Sequence, residues 1–588
     1  MKKGLAVVWC VWWALSLAFV GPVGDRVEPT GDPRALKGGQ ISIVMTDFPK
    51  SFNYYVNNSS DAALVFGFLY ETLAELDPKT LEYQPLLAES WTISPDKKVF
   101  TFKMNPKARW ADGSPVTAWD VRFTYDTIMD PKNLTSTSRI ALSRFYPPKV
   151  VDARTIIFTA KNVHFKNFIA LAGLAVLPKK LFAGKDFNKD FNLRLPPGSG
   201  PYTLSEVKEG RYYTLSRRKD YWGEKMPLHI GTNNFDRIKV RIISNDQMAF
   251  EAFKKGDFDL FVENMAKRWV KGTSSPGFRM NWIVKRKIFN YEPQGFQGLV
   301  FNLRRPFFKD VRVRKAICML QDRKTLLKKL MFDQYAPLRS YWPSINIVAN
   351  ENPEIEYDPA AAEELLIKAG YNRVDRDGFL INAAGRRAEF TIAYTQESWE
   401  RYLTVFKEDC AKAGVKVNLD LISWATLLKR AERYDFDSTV MAWSGELFPD
   451  PEGLWYSKHA DEIGGANYPG YKNPLVDKLI DSMAADFDAR RREETVRKID
   501  ALIYRDYPYA LQWGANYERI YYWNKFGMPR TIYSRISDWS GALTYWWYDP
   551  ARAARLREAM ARKEPLPKEE ENVYYDAALK RALVSGKR

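Results

Sequence analysis

The chain has 588 residues and, at roughly 150 residues per domain, it is long enough for several domains. Apolar residues make up 46% of it, an ordinary share for a globular protein, which excludes a chain that is disordered throughout. The net charge is +18, but basic residues are interleaved with acidic ones along nearly the whole chain, which favours a solvated basic surface over a nucleic-acid-binding patch.

The N-terminus has the pattern of a secretory signal peptide. Lys2 and Lys3 precede an uncharged, mostly apolar run over residues 4–24, and the small residues Gly21 and Gly24 offer a cleavage site. An uncleaved anchor is the open alternative, because the run is long enough to span a bilayer. We therefore expect a signal peptide over residues 1–24 and a periplasmic protein, which an uncleaved segment would tether to the membrane.

The first half of the chain predicts short strands and helices between strong turn signals. Thr117 and Asp120 form a capping box that opens a helix ending near Met129. The run over 196–201, with three prolines and two glycines, breaks regular structure, and we expect the chain to cross between subdomains there. The other predicted elements are a strand at 41–43, a helix at 62–73, a hairpin at 91–104, a strand at 154–160 and a hairpin at 202–217.

From about residue 235 the pattern changes to alternating strands and helices. Residues 389–443 read as a β-α-β-α-β unit, which predicts parallel strands with a crevice at their carboxyl ends. Residues 375–378 have some of the acids of a calcium loop but lack the remaining ligands, so we expect a turn. After residue 550 the sequence predicts an exposed helix over 551–562 and then a poorly ordered or loosely docked extension.

The sequence lacks the motifs of the common enzyme classes. His164, His229 and His459 are far apart, and no phosphate-binding loop, dinucleotide fingerprint or nucleophile elbow occurs. No pair of carboxylates is set apart by its spacing. Cys318 and Cys410 lie in helical patterns and are expected to be buried thiols. We therefore expect no enzymatic activity, no catalytic residues, no bound metal and no cofactor.

An ordered set of short motifs extends over about residues 38 to 550. Its members are the stretches 69–73, 85–91, 110–121, 200–202 with 220–222, 310–317 with 322–323, and 365–371. Together they resemble the family 5 extracellular solute-binding proteins of ABC importers, the oligopeptide- and dipeptide-binding type. The stretches 48–54, 300–306, 522–526 and 546–549 resemble its YejA-like branch, which is associated with oligopeptides and microcin-C-like conjugates.

The resemblance implies an α/β, two-lobed periplasmic binding protein of the Venus-flytrap type, of the large class that carries an extra subdomain in lobe 1. The implied domains are a signal peptide (1–24), lobe 1 in three parts (38–76, 195–297 and 512–550) with an inserted subdomain (77–194), lobe 2 (298–511) and a charged C-terminal extension (551–588).

The function that this fold implies is the capture of peptides or peptide conjugates between the lobes. The ligand would be delivered to the permease subunits of an ABC importer in the inner membrane, and we expect a monomer that binds no nucleic acid. Because the scaffold also carries sugars and 19 tryptophans suit pyranose stacking, an oligosaccharide carrier is the alternative.

The resemblance also suggests how the ligand is held. In peptide carriers an acid three residues after a tryptophan, at the end of a strand, holds the α-ammonium group, and Glu446 after Trp443 keeps that spacing. Asp450 is the alternative to Glu446 for this role. Gly445, which directly precedes Glu446, would let the ligand backbone approach closely. The candidate ligand-binding residues are Glu446, Trp443, Asp450, Phe48, Asn53, Tyr54 and Trp424. A core position for Phe48, Trp424 or Trp443 and an exposed loop position for Glu446 remain alternatives.

Overall fold

The computed structural model describes residues 19–20, 27–345 and 351–585. Apart from Phe19–Val20, the predicted signal segment and its cleavage site lie outside these residues. Among the described helices, none combines the length and the apolar character needed to cross a membrane.

Twenty-six strands are distributed along the described chain. They are β1 (Phe19–Val20), β2 (Gln40–Met45), β3 (Ala74–Leu76), β4 (Tyr83–Pro85), β5 (Ala88–Ile93), β6 (Val99–Met104), β7 (Lys149–Asp152), β8 (Thr155–Thr159), β9 (Tyr202–Lys208), β10 (Tyr212–Arg217), β11 (Arg237–Ile242), β12 (Leu260–Val262), β13 (Ile283–Phe289), β14 (Phe296–Phe301), β15 (Ala336–Pro337), β16 (Arg373–Val374), β17 (Leu380–Ile381), β18 (Glu389–Tyr394), β19 (Lys416–Leu421), β20 (Ser438–Trp443), β21 (Tyr509–Leu511), β22 (Trp513–Gly514), β23 (Glu518–Trp523), β24 (Phe526–Gly527), β25 (Trp547–Tyr548) and β26 (Asn572–Tyr574).

Nineteen α-helices occur in the same residues. They are α1 (Ser60–Leu69), α2 (Ala118–Met129), α3 (Ser136–Leu142), α4 (Lys166–Ala172), α5 (Lys179–Phe182), α6 (Asp246–Lys255), α7 (Ala266–Lys271), α8 (Pro276–Arg279), α9 (Val311–Met319), α10 (Arg323–Met331), α11 (Pro359–Lys368), α12 (Glu400–Lys412), α13 (Trp424–Glu432), α14 (Glu452–Trp455), α15 (Pro474–Ala484), α16 (Ala489–Asp506), α17 (Gly541–Tyr545), α18 (Pro550–Arg562) and α19 (Ala577–Ser585).

The chain divides into two compact units. Unit 1 consists of the described residues of Met1–Glu28, Phe48–Val207 and Leu215–His229, and unit 2 of Pro29–Asp47, Lys208–Thr214 and Ile230–Arg588. The lobe boundaries inferred from the sequence stay a prediction.

Unit 1 is built around an antiparallel sheet with the strand order β1-β5-β6-β8-β7. The predicted hairpin of β5 and β6 is present. Helix α2, which begins with the predicted capping box, packs on β7 and β8 of the same sheet. In that box the Thr117 amide donates a hydrogen bond to the Asp120 carboxylate at 2.9 Å. A buried arginine stabilises the Pro- and Gly-rich run over 196–201. Arg218 Nη1 donates hydrogen bonds to the carbonyl oxygens of Gly198, Ser199 and Gly200 at 3.0–3.3 Å.

The described residues of unit 2 form two sheets with five or more strands and three two-stranded sheets. Six strands of the first, here called the large sheet, lie wholly in unit 2 in the order β26-β13-β23-β12-β2-β11. Within it β2 is parallel to β11 and β12, whereas β23 runs antiparallel to β12 and β13. Tyr521 of β23 anchors its core, with its ring stacked on Trp269 at 5.2 Å.

The second sheet of unit 2, here called the five-stranded sheet, has the order β19-β18-β20-β14-β21. Strands β18, β19 and β20 are parallel, and α12 and α13 connect them, so the predicted β-α-β-α-β unit is confirmed. Strand β14 inserts antiparallel between β20 and β21. Cys318 and Cys410 are buried free thiols, as expected, in or beside its core.

The C-terminal segment is docked rather than loose, which corrects the expectation for residues 563–585. Strand β26 adds to the large sheet in parallel with β13. The ring of Tyr574 stacks on Phe289 at 4.5 Å, and Arg286 Nη2 forms an ion pair with Glu569 at 2.6 Å. The highly charged composition of this segment did not predict that it docks, because only a few of its residues make the apolar and aromatic contacts.

Candidate ligand-binding site

A polar cavity of about 530 Å³ lies in unit 2, where the chain passes from the large sheet to the five-stranded sheet. Its volume falls in the usual range for small-ligand sites. Three segments line it: the crossing at 292–295 between β13 and β14, Ser444 and Gly445 directly after β20, and Ile536, Ser537, Asp538 and Ser540 before α17.

Two glycines allow the crossing and the end of β20 to lie side by side. An added Cβ at Gly295 would stand 1.8 Å from the carbonyl oxygen of Trp443, and one at Gly445 would stand 2.2 Å from that of Pro293. The sequence suggested that Gly445 leaves room for ligand backbone. The structure gives a different reason, which is close contact with the chain's own backbone.

Trp443 is half-buried beside the cavity and takes part in the internal structure of the five-stranded sheet. Its Nε1 donates a hydrogen bond to the hydroxyl oxygen of Tyr509 at 3.0 Å, and its ring lies 5.6 Å from that of Tyr468. These contacts fix the side chain at the end of β20.

Glu446 and Asp450 lie in one loop and are connected to each other. The Glu446 carboxylate is exposed and accepts a hydrogen bond from the Asp450 amide at 3.0 Å. Asp450 is partly buried and accepts in turn from the Glu452 amide at 3.1 Å. The two competing candidates therefore belong to one acidic loop that directly follows the cavity residues Ser444 and Gly445.

The remaining candidate residues have other surroundings. Trp424 is the first residue of α13 and is 56% exposed. In unit 1, Asn53 is fully buried and bonds to the Phe187 carbonyl, while the rings of Phe48 and Tyr54 contact Phe52 and Phe66. None of these four residues is among those that line the cavity.

A group of acids at the cavity was not found from the sequence. Burial, with a smaller contribution from the negative charge of Asp538, raises the pKa of Glu292 to about 7. Glu518, the first residue of β23, has its pKa raised well above the usual range, mainly by burial and further by the charges of Glu292 and Asp538. Glu292 lies far from Glu518 and Asp538 in the sequence, and the three acids share no motif. No sequence pattern therefore predicts that they lie close together.

The comparisons with known proteins identify the family. The model of the bacterial extracellular solute-binding proteins, family 5 (middle region), matches residues 82–465. The chain belongs to the family 5 extracellular solute-binding proteins. This family consists of solute carriers of ABC importers rather than enzymes, and the chain is such a solute-binding component.

Relatives within family 5 extend over most of the chain. A putative binding protein of Brucella suis is 30% identical over 84% of this chain and 88% of its own. YejA of Escherichia coli is 28% identical over 91% and 92%, and the probable peptide-binding protein YejA of Agrobacterium fabrum is 25% identical over 87% and 91%. The resemblance to the YejA-like branch is thereby confirmed.

Solved structures of family 5 proteins share the fold. The oligopeptide-binding protein AppA of Bacillus subtilis, in complex with a nonapeptide, has a TM-score of 0.71 at 22% identity and covers 88% of this chain and 100% of its own. DppA of Helicobacter pylori, in complex with the peptide STSA, has a TM-score of 0.70 at 21% identity over 87% and 99%. These likenesses confirm the predicted fold class, the two-lobed α/β fold of the periplasmic binding proteins.

Proposed function

We propose that this solute-binding protein captures oligopeptides or peptide conjugates in the periplasm and passes them to the permease subunits of an ABC importer in the inner membrane. The ligand would occupy the cavity at the crossing from the large sheet to the five-stranded sheet and extend along the loop that follows β20. The probable peptide-binding relative and the peptide complexes of the two structural neighbours support the ligand class.

The composition of the cavity wall is the observation that carries this proposal. The wall offers two carboxylates, an amide and three serine hydroxyls, together with backbone at Gly295 and Gly445. A peptide presents amide groups and charges that such groups can bind. An oligosaccharide carrier would instead present aromatic faces on which sugar rings stack. No lining residue is aromatic, so the oligosaccharide alternative is not favoured.

The acidic loop of Glu446 and Asp450 is proposed as the anchor for the α-ammonium group of the peptide. It begins one residue after Gly445 of the cavity wall, and Glu446 is exposed and therefore accessible. Trp443 would support this loop through its hydrogen bond to Tyr509. Roles for Trp424, Phe48, Asn53 and Tyr54 in ligand binding stay predictions from the sequence.

The experiment is a thermal-shift screen of the purified protein against matched peptide and oligosaccharide libraries. A ligand at 100 times its Kd should stabilise the protein by about 2.7 kcal/mol. We expect peptides to raise the Tm and oligosaccharides to leave it unchanged, and native mass spectrometry should find peptide mass retained by the protein as purified. Stabilisation by sugars alone would overturn the proposal, and hydrolysis of the added compounds would indicate an enzyme.

A further inference from the structure

The cavity at the crossing has a one-sided charge. Among its described lining residues only Glu292 and Asp538 are charged, and both are acids. No lysine, arginine or histidine in the described part of the chain forms an ion pair with either of them or with Glu518. Other acids of unit 2, such as Glu263 and Glu569, are paired with arginines.

The three acids are held near one another by rigid parts of the fold. Glu292 belongs to the short crossing from β13 to β14, and Glu518 opens β23, whose neighbour β13 precedes that crossing. Asp538 is fixed in its turn because its Oδ1 accepts hydrogen bonds from the amide and the hydroxyl of Ser540, at 3.0 and 2.5 Å.

The free energy of this arrangement is unfavourable when nothing is bound. Burying carboxylates beside one another without a counter-charge costs stability, and the groups respond by holding protons. The raised pKa values of Glu292 and Glu518 show this response. Two neutral groups, the Tyr533 hydroxyl and the Trp539 backbone, partly oppose the rise in the pKa of Glu518, and neither brings a positive charge. A fold that only had to be stable would gain from neutral residues here, so the acids point to a positive group that arrives from outside.

We propose that the cavity binds a cationic side chain of the ligand between Glu292 and Asp538, so that the protein selects peptides that contain basic residues. This rests on the proposed function, because it assigns the α-ammonium group to the loop of Glu446 and leaves the cavity acids for a second charge. The three N–H donors of a lysine ammonium group can bond to both carboxylates at once. The serine hydroxyls at 444, 537 and 540 offer further oxygen acceptors for the ammonium group.

The test compares three forms of one peptide: trilysine, trilysine acetylated on its side chains, and trilysine acetylated only on its α-amine. Calorimetry measures their affinities for the native protein and for the variants Glu292→Gln and Asp538→Asn, which keep the side-chain shape. Glu558→Gln on α18 is the matched control, since it also removes one negative charge but lies outside the cavity wall.

The native protein should bind trilysine at least about tenfold more tightly than its side-chain-acetylated form, which corresponds to about 1.4 kcal/mol. In Glu292→Gln and in Asp538→Asn this preference should fall to about threefold or less, while Glu558→Gln keeps it. Acetylation of the α-amine should weaken binding equally in all four proteins. Variants that keep the full preference for free side chains, or that lose only the preference for a free α-amine, would overturn the inference and leave the proposed function intact.

A second arm separates the inference from the proposed function. If no peptide binds the native protein, the proposed function fails, and 1,5-diaminopentane serves as the probe of the cavity by thermal shift. Stabilisation of the native protein and of Glu558→Gln, but not of the two cavity variants, supports the inference; equal shifts in all four proteins overturn it.

The pH dependence supplies an independent readout for Glu292, which faces Asp538 and Glu518. A cation binds the ionised carboxylate, so trilysine affinity of the native protein should rise by up to about tenfold from pH 6 to pH 8 as Glu292 loses its proton. The rise should be absent in Glu292→Gln, whereas an unchanged rise in that variant would contradict the assignment.

Discussion

The indole Nε1 of Trp443 donates a hydrogen bond at 3.0 Å to the hydroxyl oxygen of Tyr509, which joins the end of β20 to the start of β21. Tyr509 is only 3% exposed, so water cannot replace this donor. The bond joins β20 and β21, the two strands that flank β14, and the cavity residues Ser444 and Gly445 directly follow β20. Trp443 therefore supports the site from inside the five-stranded sheet.

Replacing Trp443 with Phe should keep the ring contact with Tyr468 but lose this bond. We expect the free energy of unfolding to fall by about 1–2 kcal/mol, because the buried Tyr509 hydroxyl loses its donor. Urea denaturation measures the loss. Trp424→Phe is the control, and it should change stability by less than about 0.5 kcal/mol because Trp424 is 56% exposed. Equal losses in both variants would contradict a structural role for the bond.

The acidic loop after β20 gives a direct test of α-ammonium recognition. Glu446→Gln and Asp450→Asn should each weaken the binding of free-amine peptides, and Glu446→Gln should do so more strongly because its carboxylate is exposed to the ligand. If the ligand covers the pair on binding, the loss should reach about 3 kcal/mol, more than a hundredfold.

Calorimetry with the same peptides acetylated at the α-amine completes this cycle. The acetylated peptides should bind the native protein weakly and be nearly indifferent to either substitution. The hydrogen bond from the Asp450 amide to Glu446 survives in Glu446→Gln, since the amide oxygen of glutamine also accepts. Equal losses for free and acetylated peptides would show that the loop does not read the amine.

The crossing from β13 to β14 depends on glycine at position 295. Gly295→Ala would place a Cβ 1.8 Å from the Trp443 carbonyl oxygen, which is backbone and cannot rotate away. We expect a loss of about 2 kcal/mol or more in stability, together with weaker ligand binding, because β14 and β20 must separate. Gly453→Ala in α14 is the matched control: its Cβ would meet nothing within 4 Å, so this variant should be no less stable than the native protein. A native-like Gly295→Ala would refute this account of the crossing.

The difference between what the sequence predicted and what it missed has a physical cause. Local patterns identified the capping box at Thr117 and the alternation of strands and helices at 389–443, because each depends on residues close in sequence. No local sequence pattern predicts that the acids at the cavity lie together. Glu292 and Asp538 meet only through the tertiary fold, and each looks like an ordinary loop acid in its own segment. The sequence predicts Trp443 as a ligand-binding residue, but only the structure shows its hydrogen bond to Tyr509.

Unit 1 contains a histidine whose charge should make stability depend on pH. Burial alone would lower the pKa of His229, but the hydrogen bond of its Nε2 to Glu75 at 2.9 Å and the charges of Glu75 and Glu71 outweigh it and raise the pKa to about 9. A pKa raised above the unfolded value of about 6.5 means that the folded state holds this proton more tightly. The stabilisation is therefore complete below about pH 6.5 and is lost as pH rises through 9.

Urea unfolding of the native protein and of His229→Gln between pH 6 and pH 10 checks this dependence. The variant should be less stable than the native protein by about 2–3 kcal/mol near pH 6, and the difference should shrink towards pH 10. His459→Gln is the control, because this histidine makes its contacts with Glu462 and Glu452 at the surface. A difference that is constant over the whole pH range would contradict the contribution of the charge on His229.

The C-terminal segment should protect the edge of the large sheet. Truncation after Arg562 removes β26 and the ion pairs of Glu569 with Arg286 and Arg552, and it leaves the backbone of β13 without its parallel neighbour. An unpaired strand edge recruits other chains, so we expect a lower Tm and concentration-dependent association by light scattering. Truncation after residue 585, which keeps β26 and α19, should behave like the native protein.

Truncation after Arg562 should also weaken ligand binding, because β13 leads directly into the crossing that carries Glu292. A monomeric truncated protein with native Tm and native affinity would show that the docked segment contributes neither stability nor site geometry.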